Sequence, residues 1–597
     1  MNYPDLNNSK IISFDIETYD PELKELGPGV YRRDGDVLGM AIANEQGFSE
    51  YYDLGHKGIT IETKQKNMTY LKDVLSLPCK KLGTAILYDL DWINSWLNIK
   101  VKGELHDIQV AESLIDENQI HYSLDFQANK YLKIGKEWTL IEEFCKRNNL
   151  KGDPRNHLYL MRASIVRNYA IGDVKKPLEI FRQQWRIMKK QGLLNLYHLE
   201  MELFPLLLQM RQVGVRIDEK AIKQGITKLS LFIKSKSSIL WEKYGKFNYN
   251  SSQQIAIMLN QLGISYPLTK KGNPNLDKHS LPLIDHSISK EILEIREANK
   301  ILSTFFINAF TRHNTAGRIH CNFHSMKTEE YGAKSGRFSC SNPNLQQIPS
   351  REETFGKLCR SVFIPEQDHT WIKVDYNQIE YRLIAHYAQG KGSENIKKQY
   401  NEDPKTDYHE FIMNLTELSR KDAKKLNFGT VYFMGVDTMS REFGWSKNKC
   451  ESLINAYNRE VPFLKTTRRF IIDVAKSRGY LCTLLKRRAR ITQEMRDFRK
   501  EYSMFNRLMQ GSAADILKKA MRDAYKAGIF NVLVPHLTVH DELDSSKPKT
   551  KEGNEATTEL KYIMENCIKL KVPLIADVEE GPNWGETKEF GHDKIYN

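Results

Sequence analysis

The chain has 597 residues, a formal charge of +14, and 40% hydrophobic and 10% aromatic residues. That length sets aside a single domain and implies several of about 100–200 residues each. The composition excludes a disordered chain, and the positive excess points to a polyanionic partner such as nucleic acid. Eight scattered cysteines without a C-x-x-C pair exclude a disulfide scaffold and a zinc site and read as reduced and intracellular. No run approaches the ~18 apolar residues of a membrane span. A strand opens as early as Ile11, leaving no room for a signal or transit peptide, so a cytoplasmic protein is expected.

Lys10 to Thr18 is β-rich, and strand alternation puts Asp15 and Glu17 on one face. Two carboxylates so placed repel each other unless a cation lies between them. Asp89 opens a helical pattern carried by Leu90, Ile93, Trp96 and Leu97. Tyr169 and Asp173 stand one helical turn apart and share a face. The first domain is expected to close near Phe181–Gly192, where a basic run and Gln191-Gly192 break the pattern.

From Leu193 to about Phe323 the periodicity is mostly helical, with Ser251 or Ser252 as an N-cap before Ile255, Met258 and Leu259. Lysines 234, 236, 243 and 246 crowd this segment, which alone reads as a solvated face. Gly317 to Arg351 is Gly-, Ser- and Asn-rich, hence loop-like, yet it carries Arg337 and Gln346. Trp371-Ile372-Lys373-Val374 reads as a short buried strand ending at Asp375, with a helix beginning past Gln378. A second corner lies at Leu537 to Asp544, where Asp541-Glu542 falls at a strand's turn or end. Asp375 and Asp541 are expected to meet there and hold two divalent cations.

Between these corners Arg420, Lys424, Phe428 and Tyr432 recur every four residues. Such a row follows one helix face for ~18 Å. Two cations followed by two aromatics suit a triphosphate at one end and a base and sugar at the other. In Gly479 to Thr492 the basic cluster Lys486-Arg487-Arg488 fits phosphate contact and plain solvation equally well. Phe505 to Met521 reads as a helix with Asn506 and Gln510 one turn apart, and its small residues Gly511 to Ala514 allow close packing on a sheet.

DYNQIEYRLIAH, RKDAKKLNFGTVY and VHDEL, in that order, resemble the three polymerase motifs of family-A DNA polymerases, and the resemblance extends over almost the whole chain. FDIET and Y-x-x-x-D resemble proofreading 3′→5′ exonuclease domains. The resemblance implies a multidomain α/β and α+β fold: a ribonuclease-H-like exonuclease domain over 1–190, then a right-hand polymerase domain over 191–597. Within the latter the thumb covers about 193–323, the palm about 324–390 and 480–597, and the fingers about 391–479. The tail GPNWGETKEF matches the family C-terminus, so a complete chain without a 5′-nuclease domain is expected.

The implied reaction is template-directed, two-metal extension of a primer on DNA with deoxynucleoside triphosphates, with proofreading, in DNA replication. The phage type fits better than a bacterial repair enzyme. The alternative is an exonuclease whose polymerase half only binds DNA. The partners implied are primer-template DNA and deoxynucleotides, on a monomer without membrane attachment; a helicase or single-strand-binding protein is not readable. The resemblance gives the polymerase metals (two Mg2+, with Mn2+ the substitute) to Asp375, Tyr376 and Asp541, with Glu542 as a secondary ligand. Two further ions fall to Asp15, Glu17, Asp89 and Asp173, with Tyr169 orienting the attacking water.

It also gives the nucleotide phosphates to Arg420, Lys424 and His409, with Lys424 donating a proton to pyrophosphate. Phe428 packs on the sugar and predicts rejection of dideoxynucleotides, Tyr432 lies near the templating base, and Glu380 blocks a 2′-hydroxyl. Gln378 and Arg382 are contact and packing candidates. Arg337, Gln346, Asn506, Gln510 and His540 are assigned to DNA. Asp107 matches a family position, where helix capping is the expected role. The departures are Ala85 where the family has Asn, Phe338 for Leu, Phe433 for Gly, and Tyr502 for Arg.

Overall fold

The computed structural model describes residues 3–135, 138–350, 355–408, 410, 413, 418–431, 434–496 and 500–590, the side chains of Arg420, Lys421 and Phe428 excepted. The N-terminal part is built on a mixed sheet of β1 (Ile11–Tyr19), β2 (Asp36–Asn44), β3 (Ser49–Asp53), β4 (Lys80–Gly83) and β5 (Leu105–Asp107), ordered β3-β2-β1-β4-β5. Strands β1, β2 and β3 pair antiparallel, whereas β4 and β5 run parallel to β1. Because β1 is central and covered on both faces, the polar Ser13 and Glu17 are buried as well as the Ile12, Phe14 and Ile16 with which they alternate.

The helices that matter to function here are α1 (Leu87–Ser95), α2 (Ile108–Ile115), α3 (Thr139–Arg147) and α4 (Ala163–Gln191). Asp107 accepts hydrogen bonds from the amides of Gln109 and Val110 and so caps α2, as expected. Helix α4 carries the basic run within its last turns and ends at Gly192, whose φ of 71° is the left-handed cap that glycine adopts without penalty.

Past that glycine come α5 (Leu194–Glu202), α6 (Phe204–Val213), α7 (Glu219–Tyr244), α8 (Ser252–Gln261) and α9 (Ser287–Lys300). Ser251 is the N-cap of α8, its side chain accepting from the Gln254 amide. Two of the crowded lysines are ion-paired across to α9, Lys236 to Glu294 at 2.8 Å and Lys243 to Glu291 at 3.8 Å, while Lys234 is exposed.

The C-terminal part is organised on a second sheet, formed by β6 (His369–Tyr376), β9 (Val534–Val539), β10 (Glu542–Pro548), β11 (Ala576–Gly581) and β12 (Lys588–Glu589), ordered β9-β10-β6-β11-β12 with antiparallel neighbours. Between β6 and β9 lie α10 (Ile379–Tyr387), α11 (Arg420–Val431), α12 (Lys447–Glu460), α13 (Pro462–Arg478), the hairpin β7 (Tyr480–Cys482) with β8 (Arg488–Arg490), and α14 (Tyr502–Lys526). Helix α15 (Lys551–Asn566) leads to β11.

Two expectations are corrected. Arg487 is neither solvated nor available to phosphate: it is buried, with Nη2 donating to Glu200 at 2.5 Å and Nε to Asp515 at 3.0 Å. Arg488 donates to the Gln191 carbonyl at 2.8 Å and lies over the Tyr480 ring. Lys486 alone of the three stays exposed. The reason is tertiary, since the carboxylates of α5 and α14 close on the hairpin from outside its own sequence. Likewise Gly511 approaches Thr483 of the hairpin and the Ser335 carbonyl, not a sheet strand.

Candidate active site

Apolar Trp371, Ile372 and Val374 bury β6 in the centre of its sheet, which fixes the register of both neighbours. Asp375 lies opposite Glu542 on one side and Asp577 on the other. Strands β9 and β10 form a hairpin closed by the Val539–Glu542 pair, so His540 and Asp541 make its tip, with His540 in the left-handed region at φ 58°. The Tyr376 amide donates to the Asp541 carbonyl at 3.4 Å. The two aspartates, 166 positions apart in sequence, therefore meet in one cavity of about 490 Å3, which Glu380, Gln378, Tyr376, His540, Glu542 and Lys424 also line.

Crowding of like charge shows in the acidities. Burial, then the neighbouring Glu542 and Asp541, push the Asp375 carboxyl up to about 8. Burial also raises Asp541, opposed by Arg337 and His540. Arg337 donates from Nη2 to Glu380 at 2.7 Å and stands 3.6 Å from Asp541, so a guanidinium lies between the two acids. Glu542 accepts from the Trp584 indole at 3.2 Å and has Arg360 and Lys373 each at 3.9 Å.

Sequence reasoning did not pair those three with Glu542: Arg360 ends the short helix Gly356–Arg360, Lys373 is on β6, and Trp584 belongs to the tail GPNWGETKEF. It also missed Asp544, buried beside Glu542, accepting from the Trp371 indole at 2.9 Å and driven well above the usual carboxylate range by burial. Its two-residue spacing from Glu542 on β10 was the available signal.

Other expected residues are placed as follows. Gln378 has both ends of its carboxamide engaged, donating to Asp407 at 3.0 Å and accepting from the Tyr408 amide at 3.2 Å. Arg382 is fully buried and donates to the carbonyls of Asn377, Pro573 and Pro404, so packing is its role here. Gln346 donates to the Thr538 carbonyl. Asn506 and Gln510 sit one turn apart on α14, partly exposed. Arg420 and Phe428 are backbone positions of α11 with side chains outside the described residues, and His409, Tyr432 and Phe433 also lie outside them.

The N-terminal acids form a second group. A bulge in the β1–β2 pairing falls between Glu17 and Thr18. The Ile16 amide donates to Asp89 at 3.1 Å, which draws α1 onto β1, and burial pushes Asp89 up to about 8. From α4, Asp173 stands 3.4 Å from the Lys176 ammonium. The pKa of the Tyr169 phenol is held well above its ordinary value by burial first, then by Glu17, Asp173 and Asp15. It therefore stays protonated beside these acids. Ala85, where the family has Asn, has φ 55°, a conformation Asn tolerates better than Ala.

Both groups offer hard, anionic oxygen, the donor chemistry of Mg2+ or Mn2+. Among the described residues no three such side chains form a ready-made cage.

The model of DNA polymerase family A matches residues 220–586. The chain belongs to that family. A DNA-directed DNA polymerase of Pseudomonas phage M6 is 30% identical over 98% of this chain and 95% of its own. The polymerase DpoZ of Salmonella phage PMBT28 is 27% identical over 98% and 99%, and DNA polymerase I of Caldicellulosiruptor bescii is 28% identical over 98% and 67%. Among solved structures, the POL domain of Pol1 from M. smegmatis, in a complex with DNA primer-template and dNTP, superposes with a TM-score of 0.80 at 22% identity, over 97% of this chain and 96% of that one. This family-A polymerase is thus phage-like along its whole length, with the fold class expected. No described helix is long and apolar enough to cross a membrane.

Proposed function

We propose that this family-A polymerase joins deoxynucleotides to a primer at the Asp375–Asp541 cavity and removes mispaired ends at the Asp15–Glu17–Asp89–Asp173 group. The observation that carries the reading is the register of β6, β10 and the β9–β10 hairpin tip, which sets both aspartates in one cavity with Glu380 and Lys424. Asp375 and Asp541 would hold divalent cations, two Mg2+ being the expectation, with the Tyr376 carbonyl and Glu542 in support. Bound there, such ions supply charge neutralisation at the transferring phosphoryl group and an acidified attacking hydroxyl.

The protein's own groups do the rest. Arg337 orients the primer end once it leaves Glu380. Glu380 excludes a ribose 2′-hydroxyl. Lys424, with Arg420 and His409, binds phosphate and protonates the departing pyrophosphate. Phe428 and Tyr432 flank sugar and templating base, and Gln346, Asn506, Gln510 and His540 track the DNA. Gln378 braces the turn ahead of His409. At the second group Asp15, Glu17, Asp89 and Asp173 hold metal, and the protonated Tyr169 orients water. The division into an exonuclease unit, 1–190, and thumb, palm and fingers thereafter follows the same reading, as does action as a monomer on primer-template DNA.

Extension of a 5′-radiolabelled primer on a template, with and without deoxynucleotides, scores both activities. Asp375→Asn or Asp541→Asn should abolish extension and spare degradation. The paired change Asp15→Ala, Glu17→Ala should do the reverse. Extension that survives either aspartate change, or degradation that survives the double change, rejects the respective assignment. Phe428→Tyr should increase chain termination by dideoxynucleotides; equal sensitivity rejects the sugar contact.

A further inference from the structure

Tyr169 reaches the acidic group from α4, and its ring has two faces to be held. It belongs to a small core of Leu38, Ala41 and Tyr51 from the sheet with Ile141, Met161 and Val166 from α3, the turn before α4 and α4 itself. Toward solvent it meets Trp138, at the start of α3, partly exposed and packed on the same core. The two rings stack with centroids 4.9 Å apart and planes inclined by 30°. Such aromatic pairs contribute beyond the area they bury and restrict ring orientation. A phenol in such a position serves through the direction of its hydroxyl, and that direction depends on the ring plane.

We propose that Trp138 is a positioning residue of the exonuclease site: its indole clamps the Tyr169 ring, so that the phenol is preorganised toward the water it orients. This rests on the exonuclease reading above. The indole acts through Tyr169, and its loss should appear in turnover and not in strand binding, because a donor misplaced by a fraction of an ångström loses transition-state contact first.

The test is single-strand degradation by the full-length protein, with primer extension on the same preparation as the measure of intact folding. Trp138→Leu, which keeps an apolar side chain without a ring plane, should lower kcat roughly tenfold with KM unchanged. Trp138→Phe should recover most of that loss. In a Tyr169→Phe background, which has no hydroxyl to aim, Trp138→Leu should cost nothing further. A rise in KM at constant kcat would instead mean that the indole stacks on the strand, and overturns the proposal. So do losses that multiply with Tyr169→Phe, or no loss at all. If wild type shows no degradation dependent on Asp15 and Glu17, the exonuclease reading fails and the clamp with it. If that dependence holds while Trp138→Leu is silent, the clamp alone fails.

Discussion

Glu200, Arg487, Asp515 and Lys518 form a dry cluster in which the Lys518 ammonium donates to both Glu200 oxygens at 2.8 Å and Arg487 bridges Glu200 to Asp515. Three of the four are fully buried and Arg487 is 4% exposed, so its two positive and two negative charges must balance locally. Glu200→Gln leaves one uncompensated positive charge in the junction of α5, the β7–β8 hairpin and α14. Breaking a buried pair in this way costs about 3–5 kcal/mol. At ~2 °C or more per kcal/mol, the melting temperature should fall by roughly 6 °C or more.

The pH dependence gives the cluster a distinctive signature. Burial lowers the Lys518 ammonium to about 8, below the usual lysine value of 10.5. The folded state therefore binds fewer protons than the unfolded one between about pH 8 and 10.5, so stability from this group rises with pH in that window and the penalty is complete below it. Without Glu200 the lysine should lose its proton more readily still, so the variant's deficit should shrink from pH 7 to pH 9. Glu200→Gln combined with Lys518→Met restores neutrality and should recover at least half of the loss. Thermal and guanidinium unfolding followed by tryptophan fluorescence provide the readout. A deficit below about 1 kcal/mol, one equal at pH 7 and pH 9, or additive losses in the double variant would refute the reasoning.

Gly39 lies opposite Glu17 on β2, and a Cβ there would overlap the Tyr51 hydroxyl and ring; Gly39→Ala should destabilise by about 1–3 kcal/mol, and an unchanged melting temperature would contradict the close approach. Ala85→Gly or Ala85→Asn relieves a left-handed Ala and should stabilise by about 1 kcal/mol, whereas a lowered melting temperature would show that its φ is not the cost. With Asp375 and Asp89 pushed up to about 8, the metal-free folded chain binds more protons than the unfolded chain from about pH 4 to pH 8. Its melting temperature in EDTA should therefore fall from pH 6 to pH 8.5, less so for Asp375→Asn and less so with Mg2+; a rise over that range would oppose the burial argument.

Several elements were legible because they depend on local pattern. The strand leading to Asp375, which runs one residue further to Tyr376, the helix past Gln378, the cap at Ser251, one of the two serines on offer, and the shared helix of Tyr169 and Asp173 each follow from side-chain periodicity or a capping residue. The role of Asp107 also follows from its neighbours, since the amides it caps are two and three residues on.

What the pattern could not carry was the fate of charges whose partners are remote. Arg487 looked exposed because its neighbours are basic, yet its counterions are 287 and 28 positions away. Contact and packing were both open for Gln378 and Arg382 until carbonyls and an amide from other segments claimed them. Arg360, Lys373 and Trp584 stand 182, 169 and 42 positions from Glu542, and nothing in their own stretches pairs them with it.

The amino-acid order by itself determined the chemistry on offer: which acids, cations and aromatics exist, and on which strand or helix face each stands, because backbone periodicity is a near-neighbour property. Only the tertiary structure decided which of those groups share a cavity, which are neutralised by a distant partner and which keep a hydroxyl or ammonium protonated. Those outcomes depend on burial and on charges brought within a few ångströms by chain reversal, and no local stretch encodes either.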